Sequence, residues 1–231
     1  MIHAVIFDMD GILIDTEKYL YQYWKQATQE AGYELTHEQL LRFRSFSQEY
    51  AEPYFQELLG ADFDFQSVRK RRIELMSQHY KTYSVEKKPQ VDEFLDWLAA
   101  HGYKKAVSTA AALDRTKEHL TQVGIYDRFD QIACAPSVPH GKPMPDVYLH
   151  ACEQIGEKPE HCLALEDSDN GALSAHRAGC KVVMVRDLAD PLPETARFLE
   201  GTADNLLGVI PILERLAEKK ESKEEGHGSW R

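Results

Sequence analysis

Five short apolar runs limit most strongly how this chain can fold: AVIF (4–7), KAVST (105–109), QIACA (131–135), CLALE (162–166) and KVVMV (181–185). Each is rich in Val, Ile, Leu or Ala and lacks polar alternation. That is the pattern of strands buried on both faces, which pair in parallel beneath helices. Helical patterns separate most of them. PQVDEFLDWLAAH (89–101) puts Val91, Phe94, Leu95 and Leu98 on one face and stops at Gly102. Segment 112–123 ends at Gly124, 145–155 opens on Pro145 and stops before Gly156, and 168–178 stops before Gly179. Alternating strands and helices predict an α/β fold, a doubly wound parallel sheet.

Residues 16–85 break that rhythm. DTEKYLYQYWKQATQEAG, HEQLLRFRSF, QEYAEPYFQELLG and QSVRKRRIELMSQHYKTY all read as helix, punctuated by Pro53 and Gly60. The chain therefore divides into an α/β core (1–15 and 86–216), a helical domain inserted after the first strand (16–85), and a charged tail (217–231) expected to be a solvated helix end and then disorder.

With 231 residues and 43% hydrophobic content a packed core is expected. A formal net charge of −11 argues against nucleic acid or an anionic membrane as partner. No run of about 18 apolar residues is present, and MIHAVIFDMDG lacks a basic leader, so neither a membrane span nor a signal peptide is expected. Cys134, Cys152, Cys162 and Cys180 form no CxxC pair or metal spacing, which fits reduced thiols in the cytoplasm. A monomer is expected.

The densest chemistry lies in HAVIFDMDGILIDTE (3–17). Asp8 follows the first strand, where ligands of open α/β sheets bind. Asp8 and Asp10 stand two apart and so point alike in extended chain, and Gly11 permits a sharp turn. Two carboxylates in one pocket raise each other's pKa unless a cation such as Mg²⁺ neutralises them. Asp15, Thr16 and Glu17 suit a helix start.

DMDGILIDTE resembles the first motif of the haloacid dehalogenase-like superfamily, D-x-D-G-x-L-x-D-[ST]-E. Three further segments resemble its other motifs in order: Ser108-Thr109-Ala110, GKPMPD around Lys142, and EDSDNGALSAHRAG from Glu166. The resemblance spans about residues 3–216 and implies a Rossmann-like core under a helical cap of the first type. It makes Asp8 the nucleophile, through an aspartyl-phosphate, and Asp10 the general acid and base. It makes Thr109 and Lys142 catalytic partners that bind the phosphoryl group with Gly11 and Ala110. The metal ligands would be Asp8, Asp10 through its carbonyl, Asp167 and, directly or through water, Glu166, holding Mg²⁺. The chemistry agrees: a carboxylate nucleophile splits phosphoester hydrolysis into two steps, and a second carboxyl moves the proton. Taken singly, Thr109 also suits a strand end or helix cap, and Asp167 a helix N-terminus.

The expected activity is a phosphatase acting on a small phosphorylated metabolite, such as a sugar phosphate. A β-phosphoglucomutase-like mutase is the alternative, but the position of its cap histidine holds Leu20. A phospho-acceptor signalling module is disfavoured by the long insertion and by Asp10, and a dehalogenase by the retained Mg²⁺ site. Glu17, Arg44 and Arg71 are the cap candidates for touching substrate, among the basic residues Arg42, Arg69, Lys70 and Arg72. For RKRR a solvated helix face is the plainer account. Tyr23, Trp24 and Ala27 recur at helical spacing and read as packing residues.

Overall fold

A computed structural model describes residues 1–225. In chain order its elements are β1 (Ala4–Phe7), α1 (Glu17–Glu30), α2 (His37–Arg42), α3 (Gln48–Leu59), α4 (Phe65–Thr82), α5 (Val91–Ala100), β2 (Lys104–Thr109), α6 (Leu113–Gln122), β3 (Gln131–Cys134), α7 (Asp146–Ile155), β4 (Cys162–Glu166), α8 (Asp169–Ala178), β5 (Lys181–Val185), α9 (Pro193–Ala196), β6 (Gly201–Ala203) and α10 (Ile210–Glu225). The six strands form one sheet in the order β3-β2-β1-β4-β5-β6, all parallel. The chain runs outward from β1 to β3 on one side, then returns to β4 on the other. The order therefore reverses beside β1, which opens a crevice at the carboxyl ends of β1 and β4.

Side-chain alternation assigns the two sheet faces. Val5, Phe7, Val107 and Leu165 pack with Phe94, Leu98, Leu120 and Leu213 of α5, α6 and α10. Ala4, Ile6, Ala106 and Ala164 pack with Val147, Ala151, Ala172 and Ala175 of α7 and α8. The second face is lined by small residues, so α7 and α8 can approach the strands closely. Continuing each strand by two residues puts Asp8, Ser108 and Glu166 on this α7 side.

Between β1 and β2 the helices α1 to α4 enclose an apolar cluster of their own, built on Trp24, Leu40, Phe43, Phe55 and Phe65. Trp24 stacks on Phe55 with ring centroids 5.1 Å apart, and Ala27 is buried beside them.

The structure corrects the sequence reading in four places. GTA (201–203) is too short and too poor in apolar residues to read as a strand, yet it pairs with β5 from Val183↔Gly201 to Val185↔Ala203. Pro53 lies inside α3 and does not end it; Gly60, with φ +105°, does. HEQLLRFRSF is helical only to Arg42, because Ser45 takes φ +61° and turns the chain. Finally, α10 runs through Glu225, so the boundary drawn at 216 falls within a helix. The disorder expected beyond it falls on 226–231, outside the described residues. No described helix is long and apolar enough to cross a membrane.

Candidate active site

The Asp8 backbone N–H donates to Leu165 O at 2.9 Å, which fixes Asp8 at the end of β1 beside β4. The chain then turns back within a few residues: Gly11 N donates to Ile14 O and Leu13 N to Met9 O, each at 2.9 Å. Gly11 has φ +85°, and a Cβ there would stand 2.5 Å from Asp167 Oδ2. Only glycine supplies both the turn and the close approach. The two carboxylates both line the same cavity but have different neighbours. Asp8 is buried against the core. Asp10 faces the helical insertion, accepting from Thr16 Oγ1 and from Arg115 Nη2, the latter at 3.1 Å.

Lys142 is fully buried, and its three ammonium donors are all used. Nζ donates to Asp8 Oδ1 at 2.5 Å, Glu166 Oε1 at 2.6 Å and Ser108 O at 3.0 Å. Burial alone would lower its pKa, but Asp8 and Glu166 hold it above the ordinary lysine value. Tyr148 OH also donates to Glu166 Oε1, at 2.6 Å. Glu166 Oε2 is buried without a partner among the described residues. Gly171 of α8 packs so tightly on this carboxylate that a Cβ there would overlap it.

Asp167 receives Arg44, with Nη1 3.0 Å from Oδ2 and Nη2 2.8 Å from the carbonyl oxygen. Asp8, Glu166 and Asp167 each offer a carboxylate oxygen, and these lie within 4.8 Å of one another. Three buried carboxylates therefore face two cations. Burial is the main reason that Asp8 sits well above the usual carboxylate range; Lys142 opposes it, and Glu166 and Asp10 reinforce it. Burial likewise raises Asp167, against Arg44 and with Glu17. Oxygen donors short of positive charge, with an orphaned Glu166 oxygen, are a fit for a hard divalent cation.

Thr109 ends β2, and its Oγ1 accepts from Ala111 N at 3.1 Å, while Ala110 lines the cavity. That bond is the strand-end role the bare sequence also allows.

The cavity is about 1,030 Å³ and lies between the sheet and the insertion. The insertion is fastened over it by segment 42–47. Asn170 Nδ2 donates to the carbonyls of Arg42 and Arg44 at 2.7 and 2.8 Å. Ser47 N donates to Lys142 O at 3.0 Å, and Gly141 leaves no room for a Cβ beside Ser47. Glu17 and Leu20 line the cavity. Burial pushes the Glu17 carboxyl up to about 7, with Arg44 opposing and Asp10 and Asp187 adding.

Of the cap candidates, Glu17 and Arg44 reach the cavity and Arg71 does not. Arg71 lies on the outer face of α4, paired with Glu30 at 2.6 Å. Its neighbours Arg69 and Arg72 line the cavity instead, by helix phase. His140 stands exposed in its loop, 3.2 Å from Glu49. Sequence reasoning passed over Tyr148 and Arg115. A buried aromatic with a hydroxyl on the first turn of α7, just after Lys142, was a usable signal for Tyr148; no sequence signal pointed to Arg115.

Residues 5–185 match the family model described as haloacid dehalogenase-like hydrolase. The chain is 32% identical to "Putative phosphatase YhcW" of Bacillus subtilis (strain 168), covering 80% of this chain and 84% of that one. It is 30% identical to fructose-1-phosphate phosphatase YqaB of Escherichia coli K12, covering 79% and 96%. Its fold is similar to that of β-phosphoglucomutase from Clostridium difficile, with a TM-score of 0.77 at 22% identity over 95% of this chain and 99% of that one.

Proposed function

The chain belongs to the haloacid dehalogenase-like hydrolases and is a phosphoric monoester hydrolase; from that premise we propose that it hydrolyses a small phosphorylated metabolite, a sugar phosphate or a relative of one, through an aspartyl-phosphate on Asp8. The observation that carries this reading is the parting of Asp8 from Asp10 at the end of β1. Both line the cavity, but one carboxylate is held by a buried lysine and the other by Arg115.

Lys142 occupies Asp8 Oδ1, and Oδ2 is the atom assigned to attack phosphorus. The phosphoryl group passes to that oxygen while the P–O bond to the leaving alcohol breaks. Asp10, protonated at that stage, gives its proton to the leaving oxygen, so an alcohol departs rather than an alkoxide. Water then attacks the aspartyl-phosphate, Asp10 takes the water's proton, and Asp8 is released with inorganic phosphate. Thr16 and Arg115 fix the Asp10 carboxyl for both transfers. Thr109, with the Ala110 N–H and the Gly11 turn, is assigned to the phosphoryl oxygens. Asp8, Asp167, the Asp10 carbonyl and Glu166 are the residues that would hold Mg²⁺. A divalent cation bound there offsets the charge of the phosphate and lets an anionic nucleophile approach it.

The helical insertion serves as the cap, keeping bulk water from the intermediate and touching the leaving group. Leu20 in the cavity wall has no proton to exchange, which favours hydrolysis over phosphoryl transfer within a sugar. Four free, buried cysteines suit a reducing compartment such as the cytoplasm.

The test is hydrolysis of p-nitrophenyl phosphate and a panel of sugar phosphates with Mg²⁺. Asp8→Asn is expected to remove turnover by at least about a thousand-fold while circular dichroism stays unchanged. Undiminished hydrolysis by that variant, or in excess chelator, would overturn the mechanism.

A further inference from the structure

A second group of metal-ligating side chains lies at the end of the sheet opposite Asp8. His3, Glu157 and His161 each offer a donor atom, and the three donors lie within 4.8 Å of one another. His3 and Asp8 flank β1 at its two ends, about 17 Å apart by the rise of extended chain. The group therefore shares no residue with the carboxylates that would hold Mg²⁺.

The backbone brings these side chains together. β1 and β4 pair in register from Ala4↔Cys162, so the residues before them, His3 and His161, stand side by side. His3 N donates to His161 O at 2.8 Å and His3 O accepts from Lys104 N at 3.0 Å, so both neighbouring strands hold His3 in place. The two imidazole centroids are 4.7 Å apart, with the ring planes tilted by 51°. Glu157 follows Gly156, which ends α7 in the left-handed region, and its N–H donates to Cys152 O at 3.0 Å. Pro159 then opens a single 3₁₀ turn that ends at His161. The Glu157 carboxylate is oriented as well. Its Oε1 takes Lys104 Nζ at 2.8 Å, which leaves Oε2 toward the histidines, 3.0 Å from His3 Nδ1. A partner that aims a ligand from behind is the usual support of a metal site.

The donor set selects the ion. Two imidazoles and one carboxylate, with water in the remaining position, are ligands that suit Zn²⁺. Mg²⁺ favours oxygen donors alone, so the two ends of the sheet differ in the cation they prefer. The side chains of His3 and His161 are 43% and 30% exposed, which gives an ion and its water access from solvent. Glu160, 3.7 Å from His161 Nε2, adds negative charge that offsets Lys104.

We infer that His3, Glu157 and His161 form a Zn²⁺ site at the amino end of the sheet, separate from the hydrolytic centre. An ion bound there ties the starts of β1 and β4 to the turn after α7. His3 and Glu157 are 154 positions apart along the chain. Only the folded protein assembles the site, so Zn²⁺ stabilises the fold.

The test is Zn²⁺ binding to the full chain, measured by competition with a chromophoric chelator in excess Mg²⁺. The unmutated chain is compared with His161→Ala, Glu157→Gln and Asp8→Asn. One equivalent of Zn²⁺ is expected to bind at least about ten-fold more weakly in His161→Ala and in Glu157→Gln, since even outer partners of a metal ligand carry that weight. Asp8→Asn is expected to keep that equivalent. Hydrolysis of p-nitrophenyl phosphate with Mg²⁺ and no Zn²⁺ should be unchanged in His161→Ala. An unaltered Zn²⁺ isotherm in His161→Ala would overturn the inference. So would loss of all Zn²⁺ binding in Asp8→Asn, which would assign the ion to the carboxylates at the other end of the sheet. Circular dichroism checks that each variant folds. If His161→Ala does not, His3→Gln and His161→Gln make the same comparison, read as the loss of the rise in urea midpoint that Zn²⁺ gives the unmutated chain.

Discussion

Replacing Glu17 by glutamine is expected to stabilise this protein at neutral pH and leave it unchanged in acid. Glu17 opens α1, is 7% exposed, and lines the cavity beside Asp10. Its carboxyl rises from an ordinary 4.5 to about 7 because burial penalises the ionised form more than Arg44 relieves it. At about 1.4 kcal/mol per pH unit, keeping Glu17 ionised in the folded chain costs about 3 kcal/mol. The sign follows from proton counts. Between pH 4.5 and 7 the folded protein holds a proton at Glu17 that the unfolded chain has lost, so stability falls as pH rises through that window. Glutamine keeps the shape and removes the titration. It gives up the attraction of a carboxylate for the first turn of α1, worth about 0.3–1 kcal/mol. A net gain of roughly 2–3 kcal/mol at pH 8 remains, or roughly 4–12 °C in Tm for a chain of this size. The assay is urea unfolding, followed by tryptophan fluorescence in excess chelator at pH 4.5 and pH 8. Asp8 titrates in both proteins, so the difference between the two reports Glu17 together with its repulsion of Asp167. An equal gain at both pH values would show an effect of packing rather than charge. A loss of stability at pH 8 would refute the reasoning outright.

Three further outcomes are expected. Tyr148→Phe removes the 2.6 Å donor to Glu166 Oε1 and should cost roughly 1.5–3 kcal/mol by chemical denaturation; a change below about 0.5 kcal/mol would deny that bond its weight. Lys142→Met leaves Asp8 and Glu166 buried together without their shared cation and should cost about 3–5 kcal/mol at pH 7. Adding Glu166→Gln should restore part of that loss in calorimetry, and a double variant no more stable than the single one would sink the account. Gly11→Ala places a methyl against Asp167 at φ +85°, which should lower kcat/KM on p-nitrophenyl phosphate by about a hundred-fold; near-normal kinetics would mean that the turn relaxes freely.

The division of labour between sequence and tertiary structure follows the range of each interaction. Local chain physics determined that this is a parallel α/β sheet with a helical insertion, because burial on both faces and helix periodicity are written in neighbouring residues. It also singled out Asp8 at the end of the first strand, and the resemblance to the family's motifs added Lys142, Glu166 and Asp167. Their meeting around Lys142 needed the strand order, which brings β1, β2 and β4 side by side. β6 is a strand only because β5 offers it an edge. In the insertion, composition offered a row of equivalent basic residues. Helix phase and the turn at Ser45 sent Arg44 to Asp167, Arg72 to the cavity and Arg71 outward to Glu30. A pattern along the chain fixes which face a residue occupies; which partner meets it there depends on how elements far apart in sequence pack together.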